Sequence, residues 1–355
     1  VKSTLQLSPD AYTRFQTVLH LLKKIISQEK KSVYKIVDVG GSSGFLEKFL
    51  KNERISYELT IIDPLPRPKE LSKSVRYIQA GAEMLPTMGE KFDVAIAIDV
   101  LEHLPGPELK DEIVSAMAQS VEMGLIIVGP FDTERTDTYE HQLNDINKLL
   151  FKVDQNWLAE HFECGKPNMA KTLETIKKAN RKLALASAYT LPFDFWLESS
   201  FVNLMPYASY FLPKGRVEHV NATFNEHFSK DIENSFVMEG YRGIIVASKN
   251  HVKLKIESDA TWPYTNQYVH LVAELLSVST KQTNSLRREN SELKHRIDSN
   301  EEAIRLTYRV AQLETSNAEL ATRLEDREKT LRRIKETFPI SALLTISRAW
   351  RSIRK

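Results

Sequence analysis

The segment Lys35-Ile36-Val37-Asp38-Val39-Gly40-Gly41-Ser42-Ser43-Gly44-Phe45-Leu46 runs from an apolar strand into a glycine-rich turn and on into a helix. Ile36, Val37 and Val39 suit a strand buried on both faces. Gly40, Gly41 and Gly44 let the backbone turn tightly and approach a ligand before the helix begins at Phe45. α/β folds bind nucleotide-like cofactors at such turns, where backbone N–H groups are offered to an anionic ligand group. The dinucleotide pattern G-x-G-x-x-G fails in either frame, because its second glycine falls on Ser42 or Ser43. A P-loop fails too, since Gly44 is followed by Phe45-Leu46 and not by Lys-Ser/Thr. Asp38, two positions before Gly40, puts a carboxylate where it suits a cationic ammonium group and would be awkward beside a pyrophosphate.

Further segments follow in order. Glu58-Leu59-Thr60-Ile61-Ile62-Asp63-Pro64 is a second strand ending in an acid, and Val75 to Pro86 contains Gly81-Ala82-Glu83-Met84-Leu85-Pro86. Phe92-Asp93-Val94-Ala95-Ile96-Ala97-Ile98-Asp99 is a buried strand that delivers Asp99, Glu102 and His103 at its carboxyl end, the edge where open α/β sheets bind ligands. Together these segments resemble the class I S-adenosylmethionine-dependent methyltransferases, whose first motif is roughly Asp/Glu-x-Gly-x-Gly-x-Gly. Here Ser42 replaces the central glycine. The resemblance covers about residues 33–130 closely and reaches loosely to 250.

The resemblance implies S-adenosyl-L-methionine as cofactor, held by Asp38, Gly40, Gly41, Ser42 and Gly44, by Asp63 and Pro64, by Ala82 and by Asp99. Asp63 would accept hydrogen bonds from both ribose hydroxyls, a role suited to a carboxylate with two acceptor oxygens. Gly81 stands where the family usually has an aspartate for the adenine amine. Adenine is thereby left to the Ala82 backbone and nearby apolar groups.

Strand candidates at 35–40, 58–63, 75–79, 92–99 and 124–129 alternate with helices near 44–52 and 107–121, which predicts a doubly wound, Rossmann-like parallel α/β sheet. Arg181 to Ala188 and Tyr241 to Ser248 supply the last strands, the final one antiparallel as in the resembling family. Ser8-Pro9-Asp10 starts a helix, with Tyr12, Phe15, Leu19, Leu22 and Ile26 at helical spacing. The methyltransferase domain is read over 1–255. Its segment 130–240 forms a helical insertion, a substrate lid rich in aromatic residues that fill a core or stack on sugar rings.

Residues 256–284 read as a linker or helix, and 285–336 as an α-helical coiled coil. Leu286, Leu293, Leu306, Leu313, Leu320 and Ile334 take d positions, and Ile297, Ile304, Val310, Leu324 and Leu331 take a positions. Asn290 and Asn317 at a favour a parallel dimer, whereas Asn300 and Arg327 at d weaken that choice against a trimer. The coil predicts a homo-oligomer. In the segment 337–355, Leu343, Ile346, Trp350 and Ile353 share a helical face beside bases with no acid. That pattern suits a basic amphipathic helix on an anionic membrane, or a solvated tail or docking helix.

Lys and Arg number 49 against 47 Asp and Glu, so bulk attraction to nucleic acid is not implied. A single cysteine, Cys164, excludes an intramolecular disulfide and a cysteine-based zinc site. With no signal peptide or membrane span visible, a cytoplasmic protein is expected, and the membrane reading of the basic tail would make it peripheral at the inner face of the cytoplasmic membrane.

Methyl transfer to an alcohol is helped by a general base. His141 is the favoured catalytic base, oriented by Glu140 or Asp99. His103 is the second candidate, suited to a supporting or capping role, and His161 is read as structural. No dense Asp/Glu/His grouping in the sequence argues for a metal, so none is assigned, with separated ligands such as Asp99 and Asp132 left open. The coiled coil and basic tail look like bacterial enzymes that modify surface polysaccharides such as the O-antigens of lipopolysaccharide. This implies O-methylation of a sugar hydroxyl on a membrane-associated, lipid-linked glycan, beside a glycosyltransferase partner. The alternatives are a scaffold that binds the cofactor and organises glycosyltransferases, and a methyltransferase for small metabolites.

Overall fold

The computed structural model describes residues 2–151, 154–204, 212–213, 215–257 and 265–297, together with 318, 322 and 325–329. Strands β1 (Tyr34–Val39), β2 (Tyr57–Asp63), β3 (Arg76–Gln79), β4 (Phe92–Ile98), β5 (Val121–Gly129), β6 (Ala184–Thr190), β7 (Phe236–Val237), β8 (Arg242–Ser248) and β9 (Ile256–Glu257) form one mixed sheet. Its order is β3-β2-β1-β4-β5-β8-β6-β7-β9. The first five strands are mutually parallel, and β8 runs antiparallel between β5 and β6. The strand order reverses between β1 and β4, and that switch point places the carboxyl ends of β1, β2 and β4 around one cleft.

The helices are α1 (Lys2–Leu5), α2 (Pro9–Ile26), α3 (Phe45–Leu50), α4 (Gly106–Ser120), α5 (Glu134–Phe151), α6 (Asn156–Cys164), α7 (Met169–Ala179), α8 (Phe193–Leu204), α9 (Arg216–Lys230) and α10 (Thr265–Ile297). α2 starts as its sequence dictates: Pro9 occupies the first turn and the Ser8 hydroxyl accepts the Ala11 N–H at 3.3 Å. Its apolar stripe, including Val18, Leu19, Leu22 and Ile25, is buried, and Phe15 stacks on Phe49 of α3 at 5.6 Å. Burial of each such side chain contributes about 1.5–3 kcal/mol.

β5 begins at Val121, earlier than expected, because Gly124 lies inside the strand and not at its start. A β-carbon on Gly124 would collide with the Ala247 carbonyl of β8, so this glycine marks a close approach of two backbones. In the insertion, Phe131, Phe193, Phe195, Trp196 and Phe224 are buried, and Trp196 stacks on Tyr241 at 3.6 Å. These aromatics therefore serve as core.

The chain divides into two compact units. One comprises Val1–Glu140, Asn156–Ser200 and Glu218–Trp262 and contains the whole sheet. The other comprises His141–Gln155, Phe201–Val217 and Pro263–Lys355, and includes the long helix α10. Of the segment 256–284, read as a linker or helix, the part from Thr265 is helical. Of the predicted coiled coil, 285–297 close α10, whereas most of the rest, like the predicted tail helix 337–355, lies outside the described residues. Among the described residues no helix is long and apolar enough to cross a membrane.

Candidate active site

The turn after β1 is built around glycines that no other residue could replace without displacement. Gly40 and Gly44 have φ of 76° and 62°, the left-handed region that disfavours a side chain. Gly41 is required for a different reason: the Asp38 carboxylate occupies the space where its β-carbon would be. The turn's donors are largely used within the protein. Gly40 N–H donates to Ile62 O at 2.8 Å, Ser42 N–H to Asp63 Oδ2 at 3.0 Å and Gly44 N–H to Gly41 O at 3.0 Å. The expected row of free N–H groups for an anion is thus corrected; internal bonding makes the turn a rigid wall.

Asp38 is 2 % exposed and sits between β2 and β4, paired in register with Ile61 and Ile96. Burial, and after it the like charge of Asp63, pushes its carboxyl up to about 8. A buried acid with this environment is stabilised by a cationic ligand. Asp63, at the end of β2, accepts Leu65 N–H on Oδ1 at 2.8 Å and Ser42 N–H on Oδ2. Each oxygen keeps a further lone pair for a diol. Pro64 is exposed beside it, and the following loop is fixed by Tyr77, whose hydroxyl donates to Leu65 O at 2.7 Å.

Ala82 is buried at the start of a 3-10 helix, Ala82–Thr87. The Glu83 carboxylate folds back into the space that a side chain at Gly81 would fill. Glu83 therefore restores an acid where the sequence pattern lacks one, two residues from the expected position.

Asp99 follows β4 with φ 52°, an uncommon conformation for a residue with a side chain. Its carboxylate is paired with both Arg14 of α2 and Arg242 of β8. Arg242 also grips Asp10 with two bonds of 2.8 and 2.7 Å. Burial pushes Arg14 down to about 10, which leaves it charged at neutral pH, and its Nε makes no hydrogen bond. A partly buried cation with an unused donor beside Asp99 is suited to a ligand carboxylate. Arg14 escaped the sequence reading, although Asp10 and Arg14, four residues apart, share a helix face.

The histidines are arranged differently from the expectation. Glu140 does not orient His141: its buried carboxylate accepts from Tyr241 Oη at 2.8 Å and Lys166 Nζ at 2.9 Å, and is bonded to His161 Nδ1 at 2.9 Å. Asp99 is likewise committed to its arginines. His141 is exposed on α5, one residue and about 100° of helix rotation from the inward-facing Glu140. His103 Nδ1 is bonded to Glu160 at 2.8 Å, and burial, then His161, lowers its pKa, favouring the neutral ring. His161 is buried with its ring 4.9 Å from that of His103. Glu102 is also buried, and its Oε1 accepts no hydrogen bond. The structure thereby gathers Glu102, His103 and His161, a grouping absent from the sequence reading. Cys164 ends α6, its thiol donating to His103 O at 3.5 Å.

Residues 37–124 match the family model described as a methyltransferase domain. This segment is a methyltransferase domain. No curated protein matches the chain. Among solved structures, the plantazolicin methyltransferase BamL with a triazolic desmethyl analogue and S-adenosylhomocysteine is 14% identical, with a TM-score of 0.43 over 70% of this chain and 86% of that one. Haemonchus contortus phosphoethanolamine N-methyltransferase 2 with S-adenosyl-L-methionine is 13% identical, with a TM-score of 0.39 over 66% and 52%. A putative sarcosine dimethylglycine methyltransferase from Galdieria sulphuraria is 12% identical, with a TM-score of 0.43 over 67% and 85%. The residues of this domain fit S-adenosylmethionine, the cofactor that the sequence resemblance implies: the buried Asp38 carboxyl suits a cation, Asp63 keeps lone pairs for a diol, and Glu83 stands by the adenine segment.

Proposed function

We propose that this methyltransferase methylates a hydroxyl oxygen of a membrane-associated glycan. The observation that carries the donor half is the buried Asp38 carboxylate, whose charged form a cationic ligand would stabilise. Bound S-adenosylmethionine supplies a methyl group activated by the positive sulfur, so the protein's task is chiefly alignment. Asp38 and Arg14 are suited to its ammonium and carboxylate, Asp63 to its ribose and Glu83 to its adenine amine. The glycine wall lets the methionine part lie close to the backbone.

On the acceptor side, Glu102 and His103 after the end of β4, with His161 of α6 against them, are able to hold a hydroxyl or take part in its deprotonation. His141 remains a further base candidate on α5. The glycan reading draws support from the heptads of 285–336 and the basic apolar face within 337–355, which suit an oligomer held at an anionic membrane beside glycosyltransferases. The test supplies methyl-labelled S-adenosylmethionine and a lipid-linked glycan fraction to the full chain. Label in the glycan with equimolar S-adenosylhomocysteine is expected. Cofactor binding without product would replace this reading with that of a scaffold, and label in small metabolites alone would redirect the acceptor class.

A further inference from the structure

We propose that Glu102, His103 and His161 form a binding site for one divalent transition-metal ion. One ligand atom from each residue lies within 4.8 Å of the others, so a small inward movement brings them to bonding distance of a common point. Both imidazoles are already aimed. His103 is held through Nδ1 by Glu160 at 2.8 Å, and His161 through Nδ1 by Glu140 at 2.9 Å. Each ring is left with Nε2 as its lone-pair nitrogen, the arrangement by which a carboxylate on the far side orients a metal-binding histidine.

The charge pattern is the independent observation. Asp10 and Asp99 are paired with arginines, and Glu140 with Lys166. Glu102, 1 % exposed, has no ion pair among the described residues, and its Oε1 has no hydrogen-bond donor. Arg242 and Arg14 act on it only at a distance, and a buried carboxylate with a bare oxygen is unfavourable until it takes a proton or a cation joins it directly. Two imidazoles and one carboxylate select zinc, manganese, iron or cobalt over magnesium or calcium, which prefer all-oxygen sets.

Glu102 and His103 lie three and four residues after Asp99, at the carboxyl edge of the sheet. A metal there would hold the acceptor oxygen and lower its pKa, a role that rests on the methyl-transfer reading above, whereas metal binding itself does not. The hydroxyl proton leaves to solvent, the oxygen–carbon bond forms as the carbon–sulfur bond breaks, and the electron pair stays on the thioether sulfur.

The full chain, freed of metal by chelation, is titrated with Mn2+, Zn2+ and Co2+ by calorimetry, with the visible spectrum of the Co2+ form recorded. One ion per chain and ligand-field bands of a nitrogen-bound Co2+ are expected. His161→Gln should abolish both. Glu160→Ala, at a side chain 59% exposed and so harmless to folding, should weaken binding about ten- to a hundredfold. Retained S-adenosylhomocysteine binding reports that each variant is folded. No ion taken up by the wild type, or affinity unchanged in both variants, overturns the site. Metal binding with no methyl transfer to any acceptor rejects the functional reading instead, and full activity after chelation rejects the catalytic role of the ion.

Discussion

Arg242 Nη1 donates to the carboxylate of Asp99, joining the antiparallel strand β8 to the end of β4 across 143 residues of sequence. The same guanidinium clasps Asp10 on α2, so one side chain 3 % exposed ties together the elements that frame the cleft. Removing the buried member of this ion network leaves Asp10 and Asp99, 20% and 15% exposed, without their shared counter-charge, which costs up to about 3–5 kcal/mol. Arg242→Met should lower the urea midpoint accordingly, and Arg242→Lys should recover part of the loss because it keeps the charge without the two-pronged geometry. A loss below about 1 kcal/mol for the methionine variant would show that the network stabilises little.

Asp38 gives the cofactor site a pH dependence with a definite sign. Its folded pKa, about 8, lies above the ordinary 3.8, so its contribution to stability is full below about pH 4 and is lost as pH rises through about 8. A cationic ligand prefers the ionised form, which is the minor one near neutrality. Between about pH 6 and pH 7.5 the dissociation constant for S-adenosylmethionine should therefore fall about tenfold per unit. In Asp38→Asn the dependence should vanish, with weaker binding throughout. A flat profile in the wild type would contradict this assignment.

What the sequence disclosed follows from how far apart the interacting residues lie. Asp38 and its glycines are neighbours in one strand and turn, and Asp63 ends the next strand, so period and punctuation alone located them. The Glu140 network joins residues 21 and 101 positions away, and whether Glu140 or His141 faces inward depends on a helix phase that a weakly amphipathic α5 hides. Two local signals were available: Asp10 with Arg14 on one helix face, and Glu102 beside His103. Neither specifies a partner until β8 and α6 are folded against them. Glu83 was masked because it reaches the expected place from the wrong residue number.

Gly41→Ala tests whether the turn is shaped by Asp38. The added β-carbon would collide with Asp38 Oδ2, far inside van der Waals contact, so that carboxylate must move from its place over the turn. Affinity for both S-adenosylmethionine and S-adenosylhomocysteine should drop by about a hundredfold or more, with a smaller change in urea stability. Equal affinity to wild type would mean that the carboxylate moves freely and has no fixed role.

Glu83→Gln separates the role of the acid from that of the fold. Glu83 is exposed and its carboxylate lies over Gly81, so the substitution leaves packing intact while replacing a charged acceptor by an amide. A hydrogen bond to a charged group contributes about 1.5–3 kcal/mol, so affinity for S-adenosylhomocysteine should fall about ten- to a hundredfold. An analogue lacking the adenine amino group should bind wild type and Glu83→Gln equally, since it brings no donor for the carboxylate to accept. The double variant Gly81→Asp with Glu83→Ala then supplies the acid from the residue number where the family usually carries it. Recovery of affinity in that variant would establish that the site needs the carboxylate and tolerates either origin, whereas continued loss would show that Glu83 acts through the geometry of its own turn.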